Sequence, residues 1–333
     1  MIKCSECEEA SVYYNAINDK EYCKEHFCKY FEKSIEENMK KLEIVNPKIA
    51  VYYSGGKDSA VALYVLRKIL KLNVVAITAN LGIKEHFDKI SKLGKKICKE
   101  LKIDYYEISL KESLNTDIKQ IINEKNPKLA CHYCGELRNI SLDKAARWLK
   151  ADVVVSGHNR DDITRFLLNN YLKNDLFRTT EFGSMIYPNK DIKEKINYYN
   201  PIQLKPLIYL SEKEITLYCL LNNIAITDAC CGYGDKDKSN MQSWRSDLTY
   251  VINYLEERYP GFSIGLIKNF EKNFLQIFNE CTLNIKDFFE TRQCVFCKQP
   301  MGTDVKDICI TCEKCADRIG IHINDELEAH KIL

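Results

Sequence analysis

A chain of 333 residues with 45% hydrophobic and 29% charged residues has room for one large or two medium domains with a real core. The N-terminus opens with Lys3, Cys4, Glu6 and Cys7 in place of an apolar run, and no stretch reaches spanning length. Neither a secretory signal nor a membrane anchor is therefore expected, and the expected compartment is the cytoplasm. In that reducing setting sixteen cysteines read as metal ligands or catalytic thiols, and a formal net charge of +2 leaves any nucleic-acid surface to local clusters of Lys and Arg.

In chain order, Cys4-x-x-Cys7 is followed by Cys23-x-x-His26, four N/S donors in two short knuckles, the spacing of a tetrahedral structural zinc site, with Cys28 as a spare. A strand-like run at 48–53 then enters Ser54-Gly55-Gly56-Lys57-Asp58-Ser59, and a helix-like stretch follows. Two glycines clear the approach to the backbone, and N–H groups and the hydroxyls of Ser54 and Ser59 bind anionic oxygens. The helix start adds partial positive charge and Lys57 a full one. This predicts a pyrophosphate cradle, the plain alternative being an ordinary Gly-rich turn. The run lacks both the G-x-x-x-x-G-K-[ST] and the G-x-G-x-x-G spacing, which argues against a cut at the γ-phosphate and against hydride transfer.

Further strands are predicted at 73–79, 104–109 and 152–156 with amphipathic helices between them, the pattern of a parallel sheet covered on both faces. Ala79, at the end of the second strand, is placed to offer backbone groups to a nucleotide base. The helix at 84–102 carries seven lysines against three acids, but Ile90, Leu93, Ile97 and Leu101 keep helical spacing, so a solvated outer face competes with an RNA-contacting one. Ser156-Gly157-His158-Asn159-Arg160-Asp161-Asp162 follows the fourth strand and is expected to face the same ligand as the cradle. Asp58, Asp161 and Asp162 are candidates for Mg²⁺ and for holding a nucleotide, with helix capping as the plain role of the last two. Residues 174–199 are polar and irregular and read as a long surface insertion or a mobile loop.

Three cysteine groups remain. Cys131-His132-Tyr133-Cys134 is expected in a loop after Pro127, ahead of an amphipathic helix running to 150; with one later cysteine, Cys230 or Cys231, it offers three thiolates. Three thiolates suit a 4Fe-4S cluster with one iron left open; a redox disulfide pair, a persulfide-bearing thiol and a third zinc site with His132 are the alternatives. Cys98, Cys219 and Cys281 lie on apolar helical faces and read as small core residues. Cys294-x-x-Cys297 and Cys309-x-x-Cys312, with Cys315 as substitute, repeat the zinc logic near the other end. The expected division is an N-terminal zinc module at 1–30, a catalytic domain at 31–290 and a C-terminal zinc module at 291–333.

The cradle resembles the PP-loop of ATP pyrophosphatases, which split ATP between the α and β phosphates and transfer AMP to an oxygen. Together with the C-x-x-C-G, the G-H-N-x-D-D, one later cysteine and the knuckles at both ends, it resembles the TtcA/TtuA family of tRNA thiolases, in the branch with two zinc modules, over nearly the whole chain. The resemblance implies an α/β fold of the PP-loop ATP pyrophosphatase type (adenine nucleotide alpha hydrolase-like) and an ATP-dependent tRNA uridine 2-sulfurtransferase. In such an enzyme ATP adenylates the C2 oxygen of a uridine, sulfur carried on the open iron replaces it, and AMP leaves. It implies ATP, Mg²⁺, a 4Fe-4S cluster and two Zn²⁺ as cofactors, and tRNA as partner. The sulfur donor is left as free sulfide or a carrier protein with a C-terminal thiocarboxylate, and a homodimer is left open.

Carried over residue by residue, Ser54 to Ser59 are the PP-loop and Cys131 and Cys134 the first two cluster ligands. Gly157, Asp161 and Asp162 belong to the second nucleotide motif. The family's C-x-Y segment selects Cys231, spaced to Tyr233, with Cys230 as substitute. Arg138, followed by Asn139, stands where two basic residues are usual, and Leu172-Lys173-Asn174-Asp175 stands where an Arg-Gly-Asp ending is common. These departures bear on which base or RNA is recognised. The rival readings are an ATP-dependent sulfurtransferase or amide ligase for a small molecule, and a non-catalytic tRNA-binding scaffold.

Overall fold

The computed structural model describes residues 2–110, 130–174, 185–186, 201–227, 244–274, 292–293 and 300–301. Strands β1 (Tyr13–Asn15) and β2 (Lys20–Tyr22) pair as an antiparallel hairpin, and Cys23 leads directly into α1 (Lys24–Met39). Phe27, Phe31 and Ile35 recur along α1 at helical spacing and are fully buried. The expected boundary at residue 30 thus falls inside one continuous helix, whose first turn belongs to the Cys/His module and whose body joins the main core.

β3 (Ile49–Tyr52) is followed by α2 (Lys57–Tyr64), β4 (Val74–Asn80), α3 (Lys84–Leu101), β5 (Tyr105–Ser109), α4 (Ala130–Trp148), β6 (Val153–Val155) and α5 (Arg160–Leu172). All four strands expected from the sequence are present. Two more complete the sheet: β7 (Met185–Ile186), from the stretch expected as an insertion, and β8 (Ile202–Leu204). The rest of that stretch beyond Asn174 lies outside the described residues. The order is β5-β4-β3-β6-β8-β7, parallel except for the antiparallel edge strand β7. The chain winds outward from β3 through β4 to β5, then crosses to β6 on the other side of β3. That places a topological switch point beyond the carboxyl ends of β3 and β6, where sheets of this kind bind ligands.

Strand alternation divides the core between the two faces. Ile49, Val51, Ala76, Val153 and Val155 pack with α1, α2 and α3, and with Tyr218 of α6 (Glu212–Leu221). Ala50, Val75, Ile77 and Val154 pack against Leu142, Ala145, Ala146 and Leu149 of α4. On α3, Ile90, Ile97 and Cys98 are buried, so the lysine-rich helix covers the sheet with its apolar stripe and shows its lysines to solvent. Cys98 and Cys219 are buried core thiols as expected, and burial pushes the Cys98 thiol up to about 12; Cys281 lies outside the described residues.

α7 (Trp244–Arg258) packs on α5, and α8 (Phe262–Asn269) joins α5 through a smaller cluster of Ile163, Leu167, Ile208, Ile267 and Phe270. Finally β9 (Arg292–Gln293) pairs antiparallel with β10 (Pro300–Met301). The Cys-x-x-Cys of 294 and 297 falls between them, and these cysteines with Cys309, Cys312 and Cys315 lie outside the described residues. No helix among the described residues is long and apolar enough to cross a membrane.

Candidate active site and metal centre

The run from Ser54 to Ser59 leaves the carboxyl end of β3 and turns into α2. Gly55 has a positive φ of 82°, a conformation that favours glycine, and a Cβ there would lie 2.8 Å from Thr227 Cγ2. Ser59 Oγ accepts from the Ser54 amide at 3.1 Å, lies 3.1 Å from Ser54 Oγ and donates to the Gly56 carbonyl at 3.1 Å. The two hydroxyls expected to grip anions therefore brace the loop and set its curvature. The Thr227 amide donates to the Gly55 carbonyl at 3.1 Å and closes the outer side.

The motif after β6 meets this loop directly. A Cβ on Gly157 would sit 2.9 Å from the Ser59 backbone nitrogen and 3.1 Å from the Asp58 carbonyl carbon, so no larger residue fits without moving the loop. Asn159 caps α5: its side chain accepts from the Asp162 amide at 3.0 Å while Asp162 accepts from the Asn159 amide at 3.4 Å, a capping box. The Asn159 side-chain amide also reaches Asp58 at 3.4 Å, tying the two motifs together. Asp162 takes the capping role that the sequence offered as its plain reading, and pairs with Arg165. Asp161 instead accepts from the Glu212 amide at 2.7 Å, at the first residue of α6.

Sequence reasoning did not single out Glu212, His158, Lys205 or Asp143. Glu212 Oε1 lies 2.8 Å from Lys57 Nζ, with Asp58 Oδ2 at 3.6 Å on the same lysine. His158 Nδ1 is 2.8 Å from Ser156 Oγ, and its ring meets Phe166 edge-on. Tyr52, at the end of β3, donates to the buried Asp143 carboxylate at 2.6 Å and fixes α4 beside the cradle. Ala79 lies, half-buried, near the end of β4 as expected.

The Cys131 and Cys134 positions differ from expectation in one respect. Both fall in α4, one helical turn apart, because nothing after Pro127 and Lys128 interrupts the helix before Trp148. Cys134 is half-buried, a Cβ on Gly135 would meet nothing within 4 Å, and Arg138 is exposed one turn further on. Cys230 and Cys231 lie outside the described residues.

The N-terminal donors converge. The sulfurs of Cys4, Cys7 and Cys23 and Nδ1 of His26 all lie within 4.8 Å of one another. The two Cys7 and Cys23 sulfurs are 3.7 Å apart, and the three sulfur-to-Nδ1 distances are 3.4, 3.5 and 3.3 Å. A tetrahedral zinc with bonds of about 2.3 Å to sulfur and about 2.0 Å to nitrogen needs separations of about 3.8 and about 3.5 Å, so the donor set fits that ion. Burial resists ionisation of Cys4, but the amides of Cys23 and Glu6 beside its sulfur bring the thiol down to about 6, toward the thiolate a metal needs. His26 turns its other nitrogen toward Glu6 Oε2 at 3.8 Å, the orientation that favours Nδ1 as the ligand.

Residues 27–231, more than half of the chain, match a PP-loop domain family. The chain belongs to that family. Its similarity to known proteins extends further than the PP-loop domain. A tRNA-5-methyluridine(54) 2-sulfurtransferase of Pyrococcus horikoshii is 29% identical over 311 residues, covering 92% of this chain and 93% of that protein. A cytoplasmic tRNA 2-thiolation protein 1 of Aspergillus niger is 26% identical over 278 residues, 80% of this chain and 77% of that one. Among solved structures, the U34-tRNA thiolase NcsA of Methanococcus maripaludis with its 4Fe-4S cluster superposes with a TM-score of 0.68 at 26% identity, over 82% of this chain and 88% of that one.

Charge in this PP-loop site is set by partly desolvated groups. Burial works against the Lys57 ammonium, but the Glu212 and Asp58 carboxylates raise its pKa, so it stays cationic. Asp58 is raised by burial and by Asp162, against the pull of Lys57; Asp161 is raised by burial. His158 is pushed down to about 4 by enclosure of its ring, with the charges of Lys205 and Arg138 adding, so it is neutral at pH 7.

Two outcomes follow. Gly157→Ala forces a methyl group against the PP-loop backbone and is expected to destabilise the fold by about 1–3 kcal/mol in denaturant titration, the range for overpacking. His158 titrates below its ordinary value of 6.5 in the folded chain, so the unfolded chain takes up that proton first. Its contribution to stability is full above pH 6.5 and is lost as pH falls toward about 4. His158→Asn should flatten the stability profile across that window, and an equal slope in both chains would contradict the assignment.

Proposed function

We propose that this PP-loop protein is an ATP-dependent tRNA uridine 2-sulfurtransferase forming AMP and pyrophosphate. Its homologues are tRNA 2-thiolation enzymes aligned over most of its length, and the structural neighbour at TM-score 0.68 is a U34-tRNA thiolase with a 4Fe-4S cluster. The observation that carries the reading is the contact of Gly157 with the Asp58–Ser59 backbone. It brings the two nucleotide motifs together at one switch point, with a cationic lysine on the rim.

In this reading the C2 oxygen of a uridine attacks the α-phosphorus of ATP, and pyrophosphate leaves into the cradle of Ser54, Gly55, Gly56 and Ser59. Lys57 and the N-terminus of α2 hold the charge that develops on the α and β phosphates. A sulfur nucleophile then adds to C2, the bond from C2 to the adenylated oxygen breaks, and AMP leaves with that oxygen. Asp58 is our candidate for Mg²⁺, because Asp161 is committed to the Glu212 amide and Asp162 to the cap and Arg165. Gly157 keeps the loop in register, Ala79 offers backbone to adenine, and Arg138 is an exposed basic group one helical turn beyond Cys134.

Cys131, Cys134 and Cys231, with Cys230 as substitute, are our candidates for the cluster ligands. A bound 4Fe-4S cluster with three protein ligands supplies an open iron that accepts the sulfur. Two features support that assignment. Cys131 and Cys134 fall one helical turn apart on α4, and Thr227, four residues before Cys231 in the sequence, is hydrogen-bonded to the Gly55 carbonyl of the PP-loop. The N-terminal donors hold one zinc, and Cys294, Cys297, Cys309 and Cys312, with Cys315 as substitute, hold a second within a C-terminal module at 291–333. The sulfur donor is free sulfide or a thiocarboxylate carrier, and assembly as a homodimer is compatible with this reading.

With labelled ATP and tRNA the protein should release AMP and pyrophosphate, and Lys57→Ala should abolish that release while the unfolding midpoint stays near wild type. ADP and phosphate as products would overturn the reading. Protein prepared without oxygen should carry iron and acid-labile sulfide, and Cys134→Ala should lose both while keeping zinc. Anaerobic protein holding zinc alone would remove the cluster from the mechanism.

A further inference from the structure

The first turn of α6 is joined to three other parts of the molecule. Ser211 caps the helix, its amide and hydroxyl donating to Glu214 Oε2 at 2.7 and 2.6 Å. The Glu212 amide binds Asp161 of the second nucleotide motif at 2.7 Å, and the Glu212 carboxylate binds Lys57 of the PP-loop at 2.8 Å. Glu214, only 1% exposed, directs its other oxygen to the N-terminal module, where it accepts from Tyr13 and Tyr30 hydroxyls at 2.9 Å each. Arg160 Nη1, from the second nucleotide motif, stands 3.8 Å from the same carboxylate.

A buried carboxylate is costly unless its oxygens are satisfied; Ser211 and Arg160 serve Oε2, and the two tyrosine hydroxyls serve Oε1. Their positions depend on the metal-binding segment. Tyr13 packs on Phe27 at 4.9 Å, one residue past the ligand His26, and Tyr30 stacks at 5.6 Å on Tyr22, which precedes the ligand Cys23.

We infer that Tyr13, Tyr30 and Glu214 are positioning residues through which the N-terminal Cys/His module sets the placement of Lys57, by way of α6 and Glu212. The module is thereby part of the nucleotide site, in addition to any contact with RNA. The inference rests on the PP-loop reading of Lys57 as a phosphate ligand. With Glu214 released from the two tyrosines, the start of α6 is free to shift relative to Asp161, and Lys57 loses the fixed position of the Glu212 carboxylate that orders its flexible stem.

The test is calorimetric binding of α,β-methylene ATP, which needs neither tRNA nor turnover. The paired substitution Tyr13→Phe with Tyr30→Phe keeps the ring packing and removes only the two hydroxyls. It should weaken analogue binding by roughly 5- to 10-fold, a modest coupling between sites, with zinc content unchanged. In a Glu212→Gln background the same pair should have no further effect, because the route to Lys57 is already cut. Stripping zinc from the wild-type chain with a chelator should weaken binding in the same direction. Unchanged affinity in the tyrosine pair, with or without a lowered melting temperature, overturns the inference, and so does an equal loss in the Glu212→Gln background. A wild-type chain that binds no analogue overturns the sulfurtransferase reading and this inference with it, which keeps the two failures apart.

Discussion

Everything at this site depends on a close approach of two stretches of backbone at the reversal point of the sheet. β3 and β6 are neighbours in perfect register, Ile49 beside Val153 and Val51 beside Val155, so the turns that leave them emerge side by side. One turn must then lie on the other, and only a residue without a side chain at position 157 allows the distance observed. The curvature of the PP-loop, the capping of α5 by Asn159 and the reach of that asparagine to Asp58 all follow from it. Because strands and turns are covalently continuous, the anion-binding geometry exists before any ligand arrives, which lowers the entropic cost of binding.

The same economy governs the metal module. A hairpin of two three-residue strands has too little apolar surface to hold together in water. Two things stabilise it: a convergent Cys₃His set, and a helix it shares with the catalytic core. Phe31 of that helix stacks on Tyr218 with ring centroids 4.2 Å apart, and Tyr218 itself donates to Glu32 at 2.6 Å. The division of the chain into modules is therefore a division of sequence character, while in space α1 belongs to both.

Much of this was legible in the sequence because it is local. The SGGKDS run between a strand pattern and a helix pattern, the two Cys/His knuckles, and the alternation that announces a parallel sheet are all properties of short windows. β8 was missed because Ile202-Gln203-Leu204 is only three residues long between Pro201 and Pro206, too short to show alternation. The start of α4 was placed late because cysteines spaced for a knuckle suggested a loop, whereas nothing in Cys131 to Arg138 prevents a helix. Glu212, Glu214 and Asp143 left no trace because each owes its importance to a partner far along the chain. In the sequence Glu212 and Glu214 are ordinary acids in the first turn of an amphipathic helix.

That separation has a consequence for how the protein is made. The four metal donors span Cys4 to His26 and can close as soon as that short segment leaves the ribosome. The aromatic face of α1 is covered only in part by its own hairpin, through Tyr13 on Phe27 and Tyr22 on Tyr30: the bonds from Tyr13 and Tyr30 to Glu214 bridge 201 and 184 positions, and the one from Tyr218 to Glu32 bridges 186. Phe31, whose stacking partner is Tyr218, must wait for the later part of the chain, and contacts of such high order are slow to form. An ion bound early by the Cys/His donors would hold that hairpin in its final shape before the distant partners of α1 exist, which ties the metal chemistry of the first residues to the folding of the whole chain.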